Sequence, residues 1–247
     1  MNERLKAYES LLIEKETLKK ECARNYETYM LTFGDDLVAL FELKIEVVAL
    51  KTKIAFCTKK QNFGQKIRWK DLERYIDAEL SSYRVDLANM KSDRDYAKES
   101  EKHPISYDEF HKLRKLFFKI VHLIHPDLHP ELVNDEIIAS IWEKACDGYA
   151  RNDSEAVIEC YDHLMIIGIA SESMPLEDVE ERIENVQKEI EDIKASETYQ
   201  YRFILQDEET KEAHRQDILR QKEEYENYRV SLEKELAQFD IVKEADA

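Results

Sequence analysis

Glycine and proline are scarce in this chain of 247 residues, which holds four of each where average usage is about 7% and about 5%. Gly34, Gly64, Gly148 and Gly168 lie far apart, so neither a GxGxxG dinucleotide turn nor a Walker phosphate loop can be written. A Rossmann enzyme and a P-loop NTPase are thereby excluded. Sandwiches, propellers and barrels need many turns built from these two residues, and the chain lacks them. Cysteine is also sparse: Cys22, Cys57, Cys146 and Cys160 form no CxxC pair, and a reducing, cytoplasmic setting is the simplest expectation. No positively charged segment followed by an apolar run opens the chain, so no signal peptide is expected. The most apolar stretch, 37–57, carries Glu42, Lys44, Glu46, Lys51 and Lys53, which argues against a membrane span. Basic residues are outnumbered 37 to 54, a net charge of −17. That balance disfavours nucleic acid and anionic lipid as partners of the chain as a whole.

What remains is charge (37% Asp, Glu, Lys and Arg) and apolar residues (43%) with few breaks between them, the composition of long helices. The expected fold is all-α, with long antiparallel coiled-coil-like helices flanking a small helical module. Pro104, Pro126, Pro130 and Pro175 all fall in one central window, which divides the chain into 1–103, 104–172 and 173–247. The N-terminal part reads as three helices, about 3–31, about 35–60 after a break at Thr32-Phe33-Gly34-Asp35, and about 68–99. In the third, Trp69, Leu72, Ile76, Leu80, Tyr83, Leu87 and Met90 make one apolar stripe. In the C-terminal part Leu176, Val179, Ile183, Val186, Ile190 and Ile193 alternate three and four, and Ile218, Tyr225, Leu232 and Phe239 recur every seven. With a bend at Gln206-Asp207-Glu208, this predicts an antiparallel hairpin. From Pro175 onward it carries 11 basic and 22 acidic residues, read as a solvated face or as a docking face for a basic partner.

The middle is punctuated. Ser106 and Glu109 form a capping box that opens a helix with the apolar face Leu113, Phe117, Ile120, Val121 and Ile124. Lys112, Arg114, Lys115 and Lys119 lie largely off that face. His125-Pro126-Asp127 ends it. A second helix is expected from about Asn134 through Trp142, Ala145 and Tyr149, and a third, capped at Asn152-Asp153-Ser154, to about Ile167.

This tandem resembles the J-domain family, co-chaperones of the seventy-kilodalton heat-shock chaperones, over about residues 106–165. His125-Pro126-Asp127 follows a basic amphipathic helix. Phe117 stands eight positions before the motif, Lys119 six and Arg114 eleven, where the family carries an aromatic and two basic residues. Trp142-x-x-Ala145-x-x-Gly148-Tyr149 is similar to the family's next helix. The short helix that precedes this pair in the family is missing, with His103-Pro104-Ile105 in its place. Phe118, Leu123 and Leu128 stand where basic residues are common. The helix of Ala156, Val157, Cys160, Tyr161, Leu164 and Met165 offers an apolar face to take the missing helix's place. The resemblance implies a chaperone-binding surface of His125, Pro126, Asp127, Arg114, Lys115 and Lys119, ATPase stimulation of the chaperone, and arms that bind a client protein or make a homo-oligomer. The rival expectation is a structural coiled-coil scaffold with a degenerate J-like module. Under the first, Asp127→Asn is expected to leave the fold nearly intact while removing a charge that pairs with a partner's arginine.

Two further constellations stand out. His122, His125 and His129 with Asp127 have residue types that bind zinc, although the prolines already account for the loop; no metal or cofactor is expected. Between Glu46 and Asp71 lie Lys51, Lys53, Lys59, Lys60, Lys66, Arg68 and Lys70 with no acid. With Phe63 and Trp69 interleaved, this segment reads either as a solvated loop or as a patch, centred on Lys59, Lys60, Lys66, Arg68 and Lys70, that holds phosphates or an acidic partner. No nucleophile-base pair, paired carboxylates or oxyanion loop stands out, so no catalytic residue is assigned and a non-enzymatic protein is expected.

Overall fold

A computed structural model describes residues 3–101, 105–168 and 179–242. The fold is all-α, in nine helices among the described residues: α1 Glu3–Asn62, α2 Trp69–Glu79, α3 Ser81–Ser100, α4 Tyr107–Ile124, α5 Glu136–Ala150, α6 Ser154–Ile167, α7 Val179–Ala195, α8 Glu197–Ile204 and α9 Glu208–Leu236. A two-stranded parallel ladder pairs β1, Ile67–Arg68, with β2, Ile241–Val242. No described helix is long and apolar enough to cross a membrane. The expected boundaries near 103 and 173 fall outside the described residues, as do His103, Pro104, Pro175 and the seam residue Leu176.

The chain divides into two compact units, one of residues 1–26 and 101–203, the other of 27–100 and 204–247. In the first, α4, α5 and α6 close on one core. The capping box forms as expected, with Ser106 Oγ accepting from the Glu109 N–H and the Glu109 carboxylate accepting from the Ser106 N–H. Asp135 caps α5 and Asp153 caps α6. Gly168, at φ +75°, ends α6 in the left-handed conformation that glycine adopts at little cost. The apolar face of α4 is fully buried, Phe117 stacking on Tyr149 with centroids 4.0 Å apart. Val157, Cys160 and Leu164 of α6 enter the same core, so α6 covers both partner helices.

A second cluster in this unit joins Tyr8, Leu12 and Leu18 of α1 to Val186 and Ile190 of α7. The pairs Arg4 with Glu180, Lys15 with Glu189 and Cys22 with Ser196 ascend together, so α7 runs parallel to the start of α1. The spacing predicted an antiparallel hairpin within 173–247; the seam's partner is α1 instead. Apolar period fixes which face of a helix is buried but not which helix receives it.

In the second unit, residues 27–62 of α1 share a core with α2 and pack antiparallel to α3 and parallel to α9. Lys91 pairs with Glu42 and Lys98 with Asp35, whereas Tyr29 meets His214 and Glu46 meets Arg229. The expected break at Thr32–Asp35 is absent, for α1 runs through it. Gly34 serves packing: a Cβ there would lie 2.8 Å from Cγ of Arg94 on α3. The expected helix 68–99 breaks at Leu80, so its stripe is only half buried. Leu72, Ile76 and Leu80 enter a core with Cys57 and Ile67, while Tyr83 is exposed.

Candidate protein-interaction site at the His-Pro-Asp loop

The loop begins where Pro126, which has no N–H, ends α4. His125 is the C-cap and its N–H returns to the Val121 carbonyl. Its ring is buried edge-on against Trp142, centroids 4.9 Å apart. Nδ1 accepts from the Asp127 N–H at 3.1 Å, which leaves the ring proton on Nε2, 3.8 Å from Oε1 of Glu16. His125 therefore fixes the loop from inside.

Asp127 is gripped from two helices. Its carboxylate accepts from Nζ of Lys15, a residue only 5% exposed, and that ammonium also bonds Glu189 at 2.9 Å, as close as it lies to Asp127. Burial pulls the Lys15 pKa down, but hydrogen bonds to Glu189 and Asp127 outweigh it and hold the amine above its ordinary value. The Asp127 carbonyl accepts from Arg182 Nη1 at 2.9 Å and from the Tyr8 hydroxyl at 3.3 Å. Leu128 is buried among Tyr8, Leu12, Val186 and Ile190. The expectation of a surface carboxylate with little structural role is corrected: Asp127 neutralises a buried lysine. A cleft of about 470 Å³ opens beside it, lined among others by Tyr8, Arg182, Glu189 and Asp192.

Further along α1, Glu16 is buried. Burial would raise its carboxyl pKa, but His125 and Lys19 hold it below its ordinary range. Lys20 donates to the Tyr149 carbonyl at 2.7 Å, with its ammonium 3.8 Å from the Tyr149 ring centroid and 4.9 Å from that of Phe110. Burial and then Arg24 pull its pKa down to about 8.

The basic residues of α4 lie apart from this grip. Lys112, Lys115 and Lys119 are exposed and, spaced three and four apart, share one face. Lys119 lies 5.2 Å over the Tyr161 ring, and Arg114 is half-buried 5.2 Å over Phe118. The structure thus brings His125, Pro126 and Asp127 together with α1 and α7, and leaves Lys115 and Lys119 facing outward.

Both ring nitrogens of His129 are engaged, Nε2 with the His122 carbonyl and Nδ1 with Glu131. Among the described residues no group of three His, Cys, Asp or Glu has metal-binding geometry. Burial pushes the Cys146 thiol up to about 12 and raises those of Cys57 and Cys160, which disfavours the thiolate.

Sequence reasoning missed Tyr8, Lys15, Glu16, Lys20 and Arg182. A signal existed in α1: Tyr8, Leu12, Lys15, Leu18, Cys22, Tyr26, Tyr29 and Phe33 keep a three-and-four spacing, so Lys15 occupies an apolar seam position and needs a buried anion. Lys59, Lys66, Arg68 and Lys70 of the basic segment are exposed, while Lys60 is partly covered and bonds Gln65. No known protein family, curated protein or solved structure matches this chain.

Proposed function

We propose that this chain is a J-like chaperone adaptor, in which α4 and its His-Pro-Asp loop address a seventy-kilodalton heat-shock chaperone and stimulate its ATPase. The helices outside the J-like module serve client binding or self-association. The observation that supports it is the division of α4 into a fully buried apolar face and an outward basic stripe, Lys112, Lys115 and Lys119, that leads to the loop. Such a stripe steers an acidic partner surface and sets the association rate. A cytoplasmic setting fits this reading.

A second reading, the structural scaffold with a degenerate J-like module, is favoured by the grip on Asp127. A partner's arginine would have to share that carboxylate with Lys15, whose buried ammonium has Glu189 as its other carboxylate partner. Single-turnover ATPase measurements with several chaperones separate the two. Under the adaptor reading the wild-type chain raises the rate, and Lys119→Glu weakens the effect at unchanged melting temperature, as does raised salt. Under the scaffold reading no chaperone responds, and Asp127→Asn shows only a loss of stability.

A further inference from the structure

In a chain with 17 more acids than bases, several cations find carboxylates, among them Lys15, Lys91, Lys98, Lys144, Lys194 and Arg229. One end of the second unit is different. There α1 ends at Asn62, a turn follows, and β1 leads into α2. Lys59, Lys66 and Lys70, from three successive pieces of backbone, are all exposed and pair with no carboxylate among the described residues. Between them Phe63 holds its ring 70% exposed, the most of any phenylalanine or tyrosine among the described large hydrophobics. Gly64 beside it stands at φ +62°, with nothing within 4 Å of where a Cβ would lie, so the approach to the ring is open. Gln61, Asn62 and Gln65 are exposed on the same turn.

We infer that this tip is a binding surface for single-stranded nucleic acid. Each part has a matching chemistry. The lysines neutralise phosphates, the exposed ring is a platform on which any base stacks, and the amides can donate to and accept from base edges. An acidic peptide would use the lysines but has no use for an open ring ringed by amides. A lipid surface asks for a broad apolar face, whereas here one ring stands among polar side chains. The local cation cluster acts at short range, so the acidic remainder of the chain limits affinity and makes it strongly salt-dependent. The surface is independent of the His-Pro-Asp loop and of the chaperone reading.

The test is fluorescence anisotropy of the full chain with a labelled oligothymidylate of about 20 nucleotides, longer than the roughly 4–16 that such sites cover, titrated at about 20 mM and about 150 mM salt. A duplex of equal length and an oligoglutamate serve as competitors. Binding at low salt is expected, falling at least tenfold at the higher salt. A Lys59→Glu, Lys66→Glu, Lys70→Glu triple variant is expected to abolish it. Phe63→Ala is expected to weaken it about tenfold with the salt slope unchanged. Circular dichroism checks that both variants melt as the parent does, and Phe63→Tyr, which keeps the ring, is expected to retain affinity. Absence of binding at low salt, binding that survives the triple substitution, or equal competition by duplex or oligoglutamate with no effect of Phe63→Ala would each overturn the inference.

Discussion

A lysine sequestered as Lys15 is needs its anions, and this sets what single substitutions do. Removing the Asp127 charge leaves Glu189 as the remaining carboxylate on that ammonium, so Asp127→Asn is expected to cost about 1–2 kcal/mol, read as a fall in melting temperature by circular dichroism. Lys15→Met removes the ammonium and both of its hydrogen bonds, keeps the apolar stem, and is expected to cost no more than Asp127→Asn. Glu16 supplies a pH dependence. Its folded pKa lies below the ordinary 4.5, so the folded state holds fewer protons than the unfolded state between the two values. The resulting stability is complete above about pH 4.5 and is lost as pH falls through the lower folded value. Urea titrations at roughly pH 5 and pH 3 should show a smaller difference for Glu16→Gln than for the wild type.

Helix boundaries and partners belong to the next scale. Gly34 in the middle of α1 costs about 1 kcal/mol of helix propensity relative to alanine, yet Gly34→Ala is expected to lower the melting temperature. The new Cβ would meet the Arg94 stem, Cγ at 2.8 Å and Cβ at 3.2 Å, and the crowding exceeds the propensity gain. Shortening that stem as well, in Gly34→Ala with Arg94→Ser, should recover the loss, and a double-mutant cycle would measure the coupling. On α7 the buried positions are Val186 and Ile190, while Ile183 is half-buried. Ile190→Asp is therefore expected to cost several kcal/mol and Ile183→Asp distinctly less, a ranking that chemical denaturation of the two variants would reverse if the seam faced elsewhere.

For the whole molecule the charge of −17 is a self-repulsion that salt relieves. Many ion pairs on the surface are half exposed or more, as in Arg4 with Glu180 and Lys144 with Glu159, and contribute little that salt could remove. Raising sodium chloride from about 20 to about 300 mM should thus increase the melting temperature by a few degrees. A decrease would mean that the pairs outweigh the repulsion.

The all-α class, the three helices between Ser106 and Ile167 and the core face of α4 were legible in the sequence because they rest on local signals: scarce turn residues, capping boxes, a proline stop and the 3.6-residue period. The exposed basic stripe on α4 was legible for the same reason. Local signals misled at Gly34, where a glycine that reads as a break makes room for Arg94, and at Leu80, where an unbroken stripe hides a helix end. Only tertiary structure decided that the stripes of α7 and α9 lie parallel along α1, since period specifies a face and leaves its partner open. It likewise decided the state of Asp127. Lys15 on its carboxylate and Arg182 on its main-chain carbonyl lie 112 and 55 residues away in the chain, and what an exposed-looking loop residue touches depends on which distant helix packs over it.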